Sequence, residues 1–114
     1  MFVAGSDTSA ATLVWIMTEL IKNPSIMKRA QDEVRKAIKG KQRVEESDLH
    51  KLTYLKLVIK ETLRFHPSVP LLVPRETTEV CKIGVYEIPA KTRVFINAKA
   101  IAMNLHAWED PDKL

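Results

Sequence analysis

Apolar residues recur at helical spacing through the first part of this 114-residue sequence. The spacing predicts a first helix over residues 1–23. Asn23-Pro24 is typical of a boundary between two helices, because proline is favoured at a first helical position and asparagine can cap it. A second helix then runs to about Lys39 and stops at Gly40. The apolar stripe of the first helix consists of Leu13, Ile16, Met17, Leu20 and Ile21.

The second helix carries charges on its outer face and is interpreted as a packing element. Opposite charges four residues apart lie on the same side of a helix and can pair. A charged loop over residues 40–46 follows, and Ser47 or Asp48 is expected to open a short helical turn that reaches Lys51. The pairs expected on the second helix are Arg29 with Glu33 and Asp32 with Lys36.

A carboxylate interrupts the apolar face of the third predicted helix, residues 53–65. At about 100° per residue, Glu61 projects between Leu57 and Tyr54, inside the apolar arc. An unpaired buried charge is costly, so Glu61 needs a strong partner. Arg64 lies at i+3 and its guanidinium can bind a carboxylate bidentately, which predicts a buried, structural salt bridge. The arc consists of Tyr54, Leu55, Val58, Ile59, Thr62 and Phe65, with Leu57 at its edge.

Residues 4–9 (Ala-Gly-Ser-Asp-Thr-Ser) are unusual inside a helix. Glycine costs about 1 kcal/mol relative to alanine there, and the short polar side chains compete for backbone hydrogen bonds. Spacing alone leaves two interpretations open. Either Ser6 or Asp7 caps a helix that begins there, or the run is a deliberate break. In the second case Gly5 lets a ligand approach closely, and Asp7 with Thr8 relays protons.

After Phe65 the chain changes from helical to extended. Prolines at positions 67, 70 and 74 do not fit a helix interior and favour extended neighbours. The apolar stretch 69–73 between them is expected to line a cavity, and Arg75 follows it directly. Strands are predicted over residues 80–83, 86–88 and 92–96, then a short helix over 98–103 capped by Asn97, then an irregular tail over 106–114.

The predicted fold class is mainly α with a small β-sheet (α+β), with about four helices plus short strands. Residues 1–66 form the helical part and residues 67–114 the extended or β part. The net charge of +4 is mild, and the one basic run, residues 39–43, has no interleaved aromatic residues, so a nucleic-acid partner is disfavoured. The single cysteine leaves no internal disulfide and no metal cluster. The opening residues lack the pattern of a signal peptide. They are also a poor candidate for a membrane span, because Asp7 and Glu19 interrupt the apolar stretch.

Four motifs in order resemble the cytochrome P-450 haem-thiolate monooxygenases, closest to microsomal plant-type members. Residues 4–9 match the family's oxygen-binding motif, and residues 61–64 match its Glu-x-x-Arg helix. Pro74-Arg75 matches the position that binds a haem propionate, and residues 84–92 resemble the hairpin that follows. The resemblance covers residues 1–114 as an internal fragment of a single cytochrome P-450 domain.

The resemblance implies a haem b cofactor and a monooxygenase that activates dioxygen and inserts one oxygen atom into an apolar small-molecule substrate. For residues 4–9 it favours a role in ligand approach and proton relay over a helix cap at Ser6 or Asp7. The implied roles are catalytic for Asp7 and Thr8; cofactor-binding for Ala4, Gly5, Thr8 and Arg75; substrate-facing for Val69, Leu71 and Leu72; and structural for the Glu61–Arg64 salt bridge.

The family's axial cysteine lies in a glycine-rich loop further along than residue 114, so Cys81 is interpreted as a strand residue and not as the haem ligand. No metal ligand is therefore assigned, and the isolated chain is expected to be inactive. His66 is expected to end the third helix and pack against Pro67, and His106 to lie at the surface. Lys99 replaces the aromatic residue that is usual in the family after Asn97-Ala98.

The resemblance also implies an NADPH-dependent reductase as electron donor and a location at the cytoplasmic face of the endoplasmic reticulum membrane, through an N-terminal anchor that this sequence lacks. The alternative is a non-catalytic helical interaction module or a truncated remnant. It explains the amphipathic helices but gives no reason for Gly5, the proline-bounded apolar run or Arg75. A Phe-x-x-Gly-x-x-x-Cys-x-Gly pattern in the coding sequence after Leu114 distinguishes the two.

Overall fold

The computed structural model describes residues 2–113, apart from the side chain of Val3. Met1 and Leu114, which the predictions include in the first helix and in the tail, lie outside the described residues. The helices are α1 (Phe2–Lys22), α2 (Pro24–Ile38), α3 (Thr53–Phe65) and α4 (Ala98–Ala102), with a 3₁₀ turn at Glu46–Lys51. The strands are β1 (Arg75–Glu76), β2 (Cys81–Ile83), β3 (Tyr86–Ile88) and β4 (Arg93–Val94).

The small hydrophobic core lies where the second half of α1 packs on α3. Ile16, Leu20 and Val58 are buried there, with side chains of α2 and α3 packed around them. The predicted stripe of α1 is therefore only partly internal, since Leu13, Met17 and Ile21 stay exposed. On α3, Val58 and Thr62 are buried and the rest of the predicted arc is half-buried.

Helix α1 runs without interruption through residues 4–9. The prediction that Ser6 or Asp7 caps a helix is wrong, because the helix begins at Phe2. The helix does not break there either. The Thr8 hydroxyl donates to the Ala4 carbonyl at 2.7 Å, so this polar side chain is satisfied within the helix.

The boundary between α1 and α2 falls where Asn23-Pro24 predicts it. Asn23 occupies the cap position of α2, but its side chain makes no capping bond to that helix. Its amide nitrogen instead donates to the Glu19 carbonyl at 2.9 Å. The Glu19 carbonyl also accepts from the Asn23 backbone amide at 3.0 Å, so the Asn23 side chain adds a second bond to the last turn of α1.

Helix α3 is capped by a residue of α2. Its own cap position holds Leu52, which has no polar side chain to offer. The Glu33 carboxylate accepts hydrogen bonds from the Tyr54 and Leu55 amides at 2.8 and 2.9 Å, and from the Thr53 hydroxyl at 3.1 Å. Burial alone would raise the pKa of Glu33, but these donors outweigh burial and the pKa is lowered. The free N–H groups at a helix start explain why a carboxylate from another helix is held there.

Neither of the two ion pairs predicted on α2 forms among the described residues. Glu33 does not pair with Arg29, whose guanidinium lies over the Tyr54 ring, 4.1 Å from its centroid. Asp32 pairs with Arg35 at 3.6 Å and not with Lys36. The physical reason for the first error is that the start of α3 offers competing N–H and O–H donors to the Glu33 carboxylate.

The 3₁₀ turn is predicted correctly, but its cap residue is Glu45 and not Ser47 or Asp48. Asp48 is almost fully buried and its carboxylate bonds to Lys41 at 3.1 Å and Lys51 at 2.8 Å. Hydrogen bonds from Lys51 and Lys41 hold the pKa of Asp48 well below its ordinary range. This charged cluster fixes the loop that leads into α3.

The β part consists of two separate antiparallel ladders rather than one small sheet. β2 pairs with β3 across a turn at Gly84, whose φ is +59°, and β1 pairs with β4. β1 is not predicted from the sequence, and the predicted strand 92–96 shortens to Arg93–Val94 because its partner is only two residues long. Asn97 caps α4 as predicted, its Oδ1 accepting from the Ala100 amide at 2.9 Å.

The described part of the chain is elongated, with many large apolar side chains exposed. Its radius of gyration is 19.0 Å, whereas a compact domain of this length has about 13 Å. Residues 2–113 therefore do not enclose most of their own apolar surface. None of the helices within residues 2–113 has the length and apolar content needed to cross a membrane.

Candidate functional site

An open groove of about 650 Å³ lies between the first half of α1, α3 and the segment that follows α3. The side chains around it are uncharged. They are Thr8, Ser9, Thr12, Leu13, Ile16, Ile59, Leu63, Pro67, Ser68, Val69 and Leu72. Two motifs separated by more than fifty residues in the sequence, the run around Thr8 and the proline-bounded apolar run, thus border the same space.

Two hydroxyl groups and one backbone carbonyl join the two sides of this groove. Thr12 Oγ1 donates to the Thr8 carbonyl at 2.8 Å and lies 3.0 Å from Ser68 Oγ. Ser68 Oγ also lies 3.4 Å from the Thr8 carbonyl oxygen. Neither Thr12 nor Ser68 is singled out by the sequence, because no local pattern relates two hydroxyls 56 residues apart.

The predicted cofactor-facing residues Ala4 and Gly5 lie exposed on α1. A Cβ added to Gly5 would meet no atom within 4 Å, so this turn of the helix borders open space. Phe2, Gly5, Ser6 and Ser9 line a second concavity here, of about 530 Å³. The Asp7 carboxylate is exposed and makes no ion pair with any residue in the range 2–113.

The predicted substrate wall lies partly at the groove. Val69 and Leu72 line it, whereas Leu71 is exposed outside it. The Leu72 amide donates to the Val69 carbonyl at 3.1 Å, which closes a turn, and Leu72 has a φ of +54°. A left-handed conformation costs a residue with a side chain about 1–2 kcal/mol. The turn tolerates this strain, and its Pro70 carbonyl is held by the Lys99 amide at 3.2 Å.

Arg75 begins β1, beside but not within the groove lining. Its side chain is exposed and forms no hydrogen bond or ion pair with other residues that the structure describes. β1 is anchored by its pairing with β4, in which Arg75 lies opposite Val94. The guanidinium is therefore free to bind an anion that residues 2–113 do not supply.

The Glu61–Arg64 salt bridge forms, with Arg64 Nη2 2.6 Å from Glu61 Oε1. The prediction that Glu61 is the buried member is wrong. Its side chain is 35% exposed, whereas that of Arg64 is 8% exposed. Leu57, one turn before Glu61, is also exposed, so this edge of the arc faces outward.

Arg64 is buried because it binds several groups of the C-terminal tail. Its Nη1 donates to the Ala102 carbonyl at 2.7 Å and to the Pro111 carbonyl at 3.0 Å. The guanidinium also lies 4.9 Å from the centre of the Trp108 ring. Arg64 is thus the centre of a network of contacts within residues 2–113, and the structural role predicted for the pair stays a prediction.

A second buried carboxylate, Glu19, is not predicted. Its side chain is 4% exposed and bonds to His66 Nε2 at 3.0 Å and Lys22 Nζ at 3.2 Å. Burial alone would raise the pKa of Glu19, but the bonds from His66 and Lys22 outweigh burial and lower the pKa. His66 does end α3, its amide donating to the Thr62 carbonyl, while its ring stacks on Trp15 at 3.9 Å.

The remaining candidates lie away from the groove. Cys81 is half-buried on β2, on a strand as predicted, and His106 is exposed. Lys99 donates to the Phe65 carbonyl and lies over the Phe65 ring. A cation near the C-terminal end of a helix is favourable, so the Lys99 ammonium group is stabilised beside the last residue of α3. No group of three or more possible metal ligands occurs within residues 2–113.

The order of these motifs agrees with comparisons of sequence and structure. A family model, Cytochrome P450, matches residues 1–114. The chain belongs to the cytochrome P450 family. It is 62% identical over 113 residues to cytochrome P450 71A9 of Glycine max, covering 99% of this chain and 23% of that protein. It is 60% identical over 111 residues to a strychnine-11-hydroxylase of Strychnos nux-vomica, covering 97% of this chain and 22% of that protein.

Solved structures agree on the fold. A zebra fish cytochrome P450 with progesterone superimposes with a TM-score of 0.90 at 29% identity, over 98% of this chain and 26% of that one. The partial cytochrome P450 fold is thereby confirmed. The chain spans less than a quarter of the length of these relatives.

The family implies a haem cofactor, and the residues present fit one. The groove carries no charge, Gly5 leaves open space on α1, and the Arg75 guanidinium has no other partner among the described residues. A flat apolar ring with carboxylate substituents is compatible with these three features.

Proposed function

We propose that this chain forms the oxygen-side helix and part of the substrate wall of a haem b monooxygenase, as an internal segment of a single longer domain. The enzyme activates dioxygen and inserts one oxygen atom into an apolar small molecule. Relatives named as hydroxylases support this, among them a tryptamine 5-hydroxylase of Oryza sativa subsp. japonica at 55% identity. The exposed apolar side chains support a segment whose surface is covered by the rest of the domain.

One observation carries the proposal. The hydroxyls of Thr12 and Ser68 bring the run around Thr8 and the wall at Val69 and Leu72 to one uncharged groove. A monooxygenase needs this arrangement, because proton delivery and substrate positioning must take place in the same space. A helical interaction module has no such need.

Each residue then has a defined task. Haem, when bound, supplies the reductive activation of dioxygen, and Ala4, Gly5 and Arg75 hold it, Arg75 through a charge-assisted bond to a propionate. Val69 and Leu72 contact the substrate and exclude water. Leu71 lies outside the groove, so it is left out of the wall.

Proton movement is assigned to Asp7 and Thr8. The exposed Asp7 carboxylate exchanges protons with solvent. The Thr8 hydroxyl donates its single proton to the Ala4 carbonyl, so its oxygen at the groove would act as an acceptor and would hold a water that carries a proton.

The test measures coupling in the complete enzyme that carries this chain. Asp7→Asn and Thr8→Ala are each expected to lower the product formed per NADPH consumed and to increase released peroxide. Asp32→Asn, on the outer face of α2, is the matched control. Unchanged coupling in both Asp7→Asn and Thr8→Ala would remove the proposed role of these residues.

We also propose that the axial cysteine lies outside residues 1–114, which leaves this chain inactive by itself. Cys81 sits on the β2–β3 ladder and does not line the groove, which supports this assignment. In the complete enzyme Cys81→Ser should keep the thiolate-type carbon monoxide spectrum, and losing it would identify Cys81 as the ligand.

The remaining assignments rest on membership of the family alone. The proposed electron donor is an NADPH-dependent reductase. The proposed location is the cytoplasmic face of the endoplasmic reticulum membrane, reached through an N-terminal anchor outside this sequence. Fractionation of plant cells that express the complete protein tests the location, and recovery in the soluble fraction would contradict it.

A further inference from the structure

Lys99, on α4, holds both ends of the segment that follows α3. Its side-chain ammonium group donates to the carbonyl of Phe65, the last residue of α3. Its backbone amide donates to the Pro70 carbonyl at 3.2 Å. One residue therefore restrains the distance between positions 65 and 70, and the residues between them include Ser68 and Val69, which border the groove.

The bond from the Lys99 ammonium group is favoured by its surroundings. The last carbonyls of a helix have no partner within the helix, and the negative end of the helix attracts a cation. The ammonium nitrogen also lies over the Phe65 ring, 4.9 Å from its centre. The side chain is half-buried, and no carboxylate within residues 2–113 pairs with it. Among the described groups, nothing draws the ammonium group away from Phe65.

The turn that Lys99 holds contains a strained residue. The Leu72 amide donates to the Val69 carbonyl at 3.1 Å, and Leu72 has a φ of +54°. A residue with a side chain keeps this conformation only where its surroundings impose it. Pro70, whose carbonyl is bonded to Lys99, lies inside this turn, so the bond is one of the contacts that impose it.

Loss of the ammonium bond would leave α4 attached to α3. At the other end of α4, Arg64 Nη1 donates to the Ala102 carbonyl at 2.7 Å. Without its bond to Phe65, α4 can pivot about this second contact and carry the Pro70 carbonyl with it. The effect should therefore fall on the turn that borders the groove and not on the fold as a whole.

We propose that Lys99 is a positioning residue that fixes residues 66–72, here called the wall segment, and thereby selects which carbon of the substrate is oxidised. Lys99 does not line the groove, so it acts through the wall segment and not by touching the substrate. This rests on the proposed function, since it concerns the selectivity of the same site.

The experiment compares three variants of the complete enzyme. Lys99→Met keeps most of the side-chain volume but removes the ammonium group. Lys99→Arg keeps a cationic donor that can bind the Phe65 carbonyl and lie over its ring. Asn23→Ala is the matched control, because Asn23 also donates from its side chain to a carbonyl in the last turn of a helix, that of Glu19, but does not line the groove.

The first measurement is hydrogen exchange of the wall segment, followed by mass spectrometry. Exchange in Lys99→Met should be faster by about 3- to 10-fold, the range of one net hydrogen bond. Lys99→Arg should restore most of the protection, and Asn23→Ala should leave the wall segment unchanged. The carbon monoxide spectrum of each variant checks that the haem site is intact.

The second measurement is the ratio of oxidation products. The probes are neutral hydrocarbons with one to three fused rings, each with at least two kinds of oxidisable C–H group. Lys99→Met should change the ratio of products by about 2-fold or more, because reaction at one carbon depends on how closely it is positioned. Lys99→Arg and Asn23→Ala should keep the ratio of the unaltered enzyme.

Unchanged exchange in Lys99→Met would overturn the proposal, and so would faster exchange with an unchanged product ratio. Equal changes in Asn23→Ala, or loss of the carbon monoxide spectrum in Lys99→Met, would also overturn it, because the bond would then support the domain in general. Absence of any oxygenated product from the unaltered enzyme would overturn the proposed function. The exchange measurement would still decide whether Lys99 holds the wall segment.

Discussion

The two ends of the α1–α3 pair differ in the kind of polar group they contain. At one end, here called the core end, Glu19 pairs with His66 and Arg64 pairs with Glu61, and buried members of both networks are charged. At the other, the groove end around Thr8, Thr12 and Ser68, the polar groups are uncharged hydroxyls. Paired charges fix the relative position of helices. Hydroxyls satisfied by the protein leave free lone pairs and open space for a ligand.

This difference predicts that substitutions at the core end change stability and that substitutions at the groove end change catalysis. The largest effect is expected at Arg64. Arg64→Ala in the complete enzyme leaves the carbonyls of Ala102 and Pro111 without their donor and should lower the free energy of unfolding by about 2–4 kcal/mol. Urea unfolding measures this loss.

Two further variants separate charge from geometry at Arg64. Arg64→Lys keeps the charge but loses the planar fork, so most of the stability should still be lost. Arg35→Ala removes an arginine whose side chain is 68% exposed in its pair with Asp32, and should change stability by less than about 1 kcal/mol. A full recovery of stability in Arg64→Lys would show that the carbonyl contacts contribute little.

The second prediction concerns the pH dependence at Glu19. Its folded-state pKa lies below the ordinary glutamate value, so its contribution to stability is complete above that value, about 4.3, and is lost as the pH falls through the folded pKa. Glu19→Gln should therefore cost about 1.5–3 kcal/mol near neutral pH and progressively less in acid. Urea midpoints of both proteins across this range measure the difference.

Glu87→Gln, on the exposed strand β3, serves as the control for Glu19 and should show little change at either pH. A Glu19→Gln cost that grows as the pH falls would have the wrong sign. It would mean that the ionised carboxylate destabilises the fold.

The smallest change in the free energy of unfolding is expected at Gly5. Stability and turnover should change there in opposite directions. An added Cβ meets no atom, so Gly5→Ala should stabilise α1 by about 0.5–1 kcal/mol through helix propensity. The same methyl group occupies the space beside the proposed oxygen site, so coupled turnover should fall. Thr18→Ala, outside the groove, should also stabilise the helix but leave turnover unchanged. Equal turnover in Gly5→Ala would show that the open space has no catalytic use.

Features set by local chemistry are predicted from the sequence. The Asn23-Pro24 boundary, the Asn97 cap, the turn at Gly84 and the i+3 pairing of Glu61 with Arg64 all depend on residues close together in the chain. Their interactions form in the same way whatever packs around them.

Features set by packing between distant segments are not predicted. Projection of one helix places Glu61 inside an apolar arc, but only the neighbouring elements decide which part of the arc is covered, and here they cover Arg64. Glu19 looks like an interruption of α1 until the fold brings His66 to it. The apolar Leu52 at the cap position does hold a usable signal. A helix without a local cap needs an acceptor for its free N–H groups from elsewhere, and here Glu33 provides it.

A crystal structure of the complete, haem-loaded enzyme tests the placement of the groove end most directly. Gly5 and Thr8 should face the open side of the haem, Val69 and Leu72 should border the substrate space above it, and the Arg75 guanidinium should contact a propionate. Thr8 turned away from the haem, with Arg75 bound to a protein carboxylate, would contradict the proposed site.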